Sequence, residues 1–132
     1  MSNLNQKFWN NYYKKTNDNI SKQSSFAKFV YENYIEQYNK ENIFLKIADL
    51  GSGNCRDSKF FSQKGNMSYA IDYNGILDKE YPKCKLINED VEQILSNNKL
   101  QISFDIIYMR WFLHAMPYNK SYNIFKYSVN NL

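Results

Sequence analysis

The stretch Ile47-Ala48-Asp49-Leu50-Gly51-Ser52-Gly53-Asn54-Cys55-Arg56-Asp57-Ser58 decides the fold. Ile47 to Leu50 is a short apolar strand that runs straight into a glycine turn. The turn opens a helix through Asp57, Ser58, Phe60 and Phe61, which Gly65 can stop. Glycine at 51 and 53 permits backbone angles, and a close approach, that a Cβ would forbid. A ligand can lie against such a loop, and the helix N-terminus beyond it offers unpaired N–H groups to negative charge. A βα turn that holds no ligand fits the same residues.

Downstream the strand-and-acid pattern returns. Met67-Ser68-Tyr69-Ala70-Ile71-Asp72 reads as a strand ending in a carboxylate, 21 residues after Gly51. An acid there can accept both ribose hydroxyls of an adenosine ligand. Tyr73-Asn74-Gly75 is a turn, and Tyr81-Pro82 closes the segment that follows. Cys84 to Asn88 is a third strand, with Asp90 just beyond it. Gln93, three residues after Asp90, completes a capping-box pattern, so Asp90 by itself reads as a helix cap. The next helix runs from Val91 to about Asn97, with Val91, Ile94 and Leu95 inward. Ser103 to Met109 is the fourth strand, and Tyr118 to Leu132 a last helix with Tyr122, Phe125 and Val129 on one side.

Upstream, Ser24 or Ser25 can cap a helix running to about Tyr38. Phe26, Phe29, Val30, Tyr34 and Tyr38 recur at spacings of three and four, which predicts an amphipathic face packed on a sheet. Before it stands an aromatic knot of Phe8, Trp9, Tyr12 and Tyr13. These rings suit either a cap on one end of the core or a lid that excludes water from a site.

Alternating strands and helices with short connections predict an α/β fold with a parallel sheet and right-handed crossovers. Ligands of such sheets sit at the carboxyl ends of the strands, where Gly51, Asp72, Asp90 and Arg110 all fall. The organisation is one domain, with residues 1–45 as an N-terminal helical lid or cap and 46–132 as the core.

The glycine loop separates two ligand chemistries. The nicotinamide fingerprint G-x-G-x-x-G would need a third glycine at Arg56. Asp49-Leu50-Gly51-Ser52-Gly53-Asn54-Cys55 instead resembles the first motif, acidic-x-G-x-G-x-G, of the class I S-adenosyl-L-methionine (SAM)-dependent methyltransferases, with Cys55 at the third glycine. Asp72, Asp90 and the strand Phe104-Asp105-Ile106-Ile107-Tyr108-Met109 fall where that family has its later motifs. The resemblance implies a Rossmann-like sheet of strand order 3-2-1-4 with flanking helices. It also implies a chain that lacks the last three of the usual seven strands, and a free strand-four edge. Such an edge calls for a covering partner, a second copy among them, or else reduced stability. The implied cofactor site comprises Asp49, Gly51, Ser52, Gly53, Asp72, Tyr73, Asp90 and Val91, with Tyr13 from the N-terminal segment. SAM is the cofactor, and S-adenosyl-L-homocysteine its product.

Arg110-Trp111-Phe112-Leu113-His114 resembles an R-[FW]-x-L-H element that borders the transferred methyl in several small-molecule methyltransferases. His114 is then the base candidate, having an ordinary pKa near neutrality. Arg110 can hold an anionic substrate group, or serve as a structural ion-pair partner. The loop wording is most similar to small bacterial enzymes that tailor metabolites or surface carbohydrates, capsule components included. Two other readings stay open: a SAM-binding or interaction module without catalysis, and a nicotinamide-dependent oxidoreductase fragment.

Composition narrows the partners. The chain has 132 residues, 43% hydrophobic and 23% charged, which suits a folded domain. Its net charge of +4 comes from lysines scattered along the chain and only two arginines, Arg56 and Arg110, so no basic stripe points to nucleic acid. Cys55 and Cys84 form no C-x-x-C pair, and one histidine does not complete a metal site. No apolar run reaches membrane-spanning length and the first residues lack a signal core, which together predict a reduced, cytoplasmic protein. The expected partner is a small-molecule acceptor.

Overall fold

The computed structural model describes residues 22–110, 112 and 116–132. Four strands, β1 (Lys46–Leu50), β2 (Met67–Ile71), β3 (Cys84–Ile87) and β4 (Ile106–Met109), form one parallel sheet of order β3-β2-β1-β4. This is the α/β, Rossmann-like arrangement that the alternating pattern predicts. The order reverses between β1 and β4, the switch point at which open parallel sheets bind ligands beyond the carboxyl ends of their strands.

β1 is central, pairing Ile47 to Leu50 with Ser68 to Ile71 on one side and with Ile106 to Met109 on the other. Both of its faces are buried, which explains why it reads as a continuous apolar run. On one face Ala48 and Leu50 join Ile71, Ile87, Val91, Ile94, Leu95, Phe104 and Ile124 in one core. On the other Ile47 packs with Ala27, Val30, Ile35, Phe61 and Tyr108.

The helices follow the chain in order. α1 (Ser25–Val30) passes through a π-helical stretch (Tyr31–Ile35) into α2 (Glu36–Lys40). α3 (Arg56–Gln63) follows β1, α4 (Val91–Ser96) follows β3, and α5 (Tyr118–Asn130) comes after β4. Ser24 is the N-cap of α1, its Oγ accepting from the Ala27 amide at 3.1 Å. α4 buries Val91, Ile94 and Leu95 as expected.

Two expectations are corrected. The aromatic stripe of the first helix does not face the sheet: Phe26, Phe29, Tyr34 and Tyr38 are exposed, while Ala27, Val30 and Ile35 are buried. The π-helical stretch adds a residue to one turn and breaks the regular spacing assumed for residues 26 to 38. Small Ala27 fits against Phe61 and Tyr108, leaving Phe26 to stack on the Tyr108 ring at 5.4 Å. The fourth strand is also shorter than Ser103–Met109. The Phe104 amide donates to the Asn131 carbonyl at 2.8 Å, tying that residue to the end of α5, and the chain joins β1 only from Asp105, whose amide donates to the Lys46 carbonyl at 2.9 Å.

Among the described residues, no helix is long and apolar enough to cross a membrane.

Candidate functional site

The loop after β1 takes its shape from three left-handed residues, Gly51 (φ 72°), Gly53 (φ 58°) and Cys55 (φ 62°). The Gly51 amide donates to the Ile71 carbonyl at 2.8 Å, which keeps the loop in register with β2. A Cβ on Gly51 would run into the ring of Phe112, which lies against the glycine from the segment after β4. Cys55 adopts the conformation usually left to glycine, at a cost of about 1–2 kcal/mol. Its side chain is fully buried, and burial pushes the thiol well above its ordinary pKa.

Asp72 stands directly after β2 and holds the loop in place. Its Oδ2 accepts from the Gly53 amide at 2.8 Å and its Oδ1 from the Asn74 amide at 2.9 Å. Burial raises its pKa, and these two amide bonds oppose the rise. A carboxylate has about four acceptor positions, so two remain for hydroxyl donors. The Asn74 Nδ2 in the same turn is a buried donor with no partner among the described residues.

Beneath the loop lies a buried polar cluster. Asp57, in the first turn of α3, accepts from the Ser24 amide at 2.7 Å and the Ser24 Oγ at 2.8 Å. It also accepts from the Tyr108 hydroxyl at 2.7 Å and from Arg110 Nε at 3.2 Å. The cluster thereby joins the entry of α1, the start of α3 and both the body and the end of β4. Burial, with the Asp57 charge beside it, pushes the Tyr108 hydroxyl far above its usual pKa. Asp49 accepts from the Ser58 Oγ at 2.6 Å. Burial raises its pKa to about 7, with the charges of Asp57 and Asp72 adding to the rise and Ser58 and Arg110 opposing it.

The predicted site residues fall into groups. Asp49, Gly51, Gly53 and Asp72 come together around the loop, with Ser52 at its half-buried crest. Tyr73 is exposed beside them. Val91 is a core residue of α4. Asp90 is the α4 N-cap, accepting from the Glu92 amide at 2.9 Å, and it pairs with Lys120 Nζ at 3.0 Å. Burial works against its charge, but Lys120 and the helix amides outweigh that and lower its pKa. Arg110 lies at the end of β4, with its Nε on Asp57. Tyr13 and His114 lie outside the described residues, as do Phe8, Trp9, Tyr12 and Trp111.

Sequence reading missed Asp57, Ser58 and Tyr108 as members of the cluster. One signal was available: a tyrosine inside a buried strand must find its hydroxyl a partner. No group of three or more His, Cys, Asp or Glu among the described residues is arranged to hold a metal ion.

Fold and site together define an α/β protein with a Rossmann-like parallel sheet and a glycine loop at its switch point. No protein-family model and no curated protein matches the chain.

Proposed function

We propose that the chain is a SAM-dependent methyltransferase acting on a small molecule, by in-line methyl transfer to an oxygen or nitrogen. One observation carries this reading: the glycine loop, with Asp72 locked to it, sits where the strand order reverses. Crevices at such points take nucleotide-like ligands in open parallel sheets. Asp49, Gly51, Ser52, Gly53, Asp72 and Asn74 would hold the cofactor, with Tyr73 and Asp90 at the rim and Tyr13 from the N-terminal segment. SAM supplies an activated methyl on a sulfonium, so the protein's task is chiefly alignment. His114 would remove the acceptor's proton. Arg110, steadied by Asp57, would meet an anionic group on the acceptor. A capsule or other surface-carbohydrate component is the acceptor class in this reading, and the cytoplasm its location.

Calorimetric titration of the full chain with SAM, S-adenosylhomocysteine and NAD tests the proposal. Binding of both adenosyl compounds and not of NAD is expected, with loss of binding in Asp72→Ala. NAD binding alone would favour the oxidoreductase fragment, and no binding of any of the three would refute the proposal.

A second reading is a SAM-binding module without catalysis, in which Arg110 serves only as the ion-pair partner of Asp57. Cofactor binding without single-turnover methylation of any acceptor would select it.

A further inference from the structure

Asn74-Gly75 is the one Asn-Gly pair in the sequence, and it lies in the turn that ties β2 to the glycine loop. Just before the pair, Asp72 Oδ2 accepts from the Gly53 amide at 2.8 Å. Just after it, the Ile76 amide donates to the Gly53 carbonyl at 2.8 Å. A Cβ at Gly75 would stand 2.7 Å from Leu86 Cδ1 and 3.1 Å from Asp72 Cβ, so packing against β3 keeps a glycine there. Asn74 Nδ2 is a buried donor that no hydrogen bond anchors among the described residues.

We propose that Asn74 is a site of spontaneous deamidation, and that the change releases the glycine loop from its tie to β2. The Gly75 backbone nitrogen, having lost its proton to hydroxide, attacks Cγ of Asn74. The N–Cγ bond forms, the Cγ–Nδ2 bond breaks, and the side-chain nitrogen leaves as ammonia with a proton from water. Water then opens the five-membered imide at either carbonyl, giving aspartate or isoaspartate, with nothing oxidised or reduced. Glycine, having no side chain, hinders this attack least. The leaving Nδ2 forfeits no hydrogen bond in the folded chain. The Gly75 amide donates to the Asp72 carbonyl at 3.2 Å, the long end of the range, and that carbonyl keeps Asn88 Nδ2 at 3.0 Å when the amide departs. Residues 73–80 lie in no helix or strand and are exposed or half-buried, so local opening there costs little. Isoaspartate adds one methylene to the main chain between the two ties. Either product also sets a carboxylate beside Asp72, whose Oδ1 accepts from the Asn74 amide at 2.9 Å. Added length and like-charge repulsion both draw Asp72 and Ile76 away from Gly53. The reaction does not depend on what the loop binds.

The full chain, aged at mildly alkaline pH and mapped by peptide mass spectrometry that separates isoaspartate from aspartate, tests this. Asn74 should convert in the folded chain, and faster as pH rises. In the aged protein the amides of Gly53 and Ile76 should exchange hydrogen at least about 5-fold faster, the factor for one lost hydrogen bond of ordinary strength. Asn74→Gln, whose longer side chain closes the ring far more slowly, should keep its starting exchange rates through the same ageing. Asn74 intact in the folded chain while it converts in urea would overturn the proposal. So would equal loosening in aged Asn74→Gln, or conversion of Asn74 with both exchange rates unchanged.

Discussion

Asp57 is the residue whose removal the structure prices most clearly, through a double-mutant cycle with Tyr108. The Tyr108 hydroxyl donates to Asp57 Oδ2 at 2.7 Å, and Tyr108 itself is buried. Hydrogen bonds to a charged group contribute about 1.5–3 kcal/mol, so Tyr108→Phe should cost about 2 kcal/mol. Asp57→Ala also strands the buried Ser24 amide and leaves the Ser24 Oγ with only its helix-cap bond, which brings the expected loss to about 4 kcal/mol. Arg110 adds little to that sum, since its side chain is 30% exposed and water replaces the lost pair. With Asp57 already gone, the hydroxyl has only the Ser24 Oγ nearby, at 3.4 Å. Tyr108→Phe should then cost almost nothing, giving a coupling energy of about 1.5–2 kcal/mol. Urea denaturation of the four proteins measures this as shifts in midpoint at constant slope. If Tyr108→Phe costs the same in both backgrounds, Asp57 is not what holds the hydroxyl, and the clamp joining α1, α3 and β4 is refuted.

Three further outcomes are expected. Gly51→Ala combines a left-handed φ with a collision against Phe112, and should lose about 2–4 kcal/mol; adding Phe112→Ala should relieve the collision but not the backbone part, as denaturation midpoints will tell. Asp49 has a pKa raised from 3.8 to about 7, so the folded state binds more protons than the unfolded one between those values. Stability from this group is full below about pH 4 and falls as pH rises towards 7; Asp49→Asn should flatten the pH profile over that window, and an unchanged slope would contradict the burial argument. Lys120→Met frees the Asp90 carboxylate from a partly exposed pair and should cost about 0.5–1 kcal/mol, with the Asp90 pKa rising in a carbon-detected NMR titration.

The sheet was legible because its signals are local and repeated. Each strand is bounded by a turn or an acid, and the central strand declares itself by being apolar on both faces, as Ile47, Ala48 and Leu50 are. The strand order came from the family resemblance, and the sheet has that order. Helix existence was equally plain, but the facing of the first helix was not. An amphipathic pattern assumes 3.6 residues in every turn, and the π-helical stretch at Tyr31–Ile35 departs from that without a mark in the sequence. Ring size gives no sign of the facing either: Ala27, Val30 and Ile35 fill the core beside Phe61 and Tyr108, while Phe29, Tyr34 and Tyr38 stay exposed.

The site was legible in its glycine turn and in Asp49 and Asp72 beside it, and not in the cluster of Ser24, Asp57 and Tyr108. Glycines at 51 and 53 announce a turn, and the turn is there with both residues left-handed. What stabilises the turn from below depends on side chains far apart in the chain, since Ser24 and Asp57 are 33 residues apart and Asp57 and Tyr108 are 51 apart. Neither local pattern nor spacing encodes such a meeting, because it is the crossovers that bring α1, α3 and β4 to one place. Asp57 looked like an ordinary acid in the first turn of a helix, a position acids favour for the dipole alone. The same geometry gives Arg110 its place: with Nε on Asp57, its guanidinium is fixed at the carboxyl end of β4, beside the loop that Asp72 locks from the other side. The cluster that holds α1, α3 and β4 together therefore also sets the position of the arginine at the end of β4.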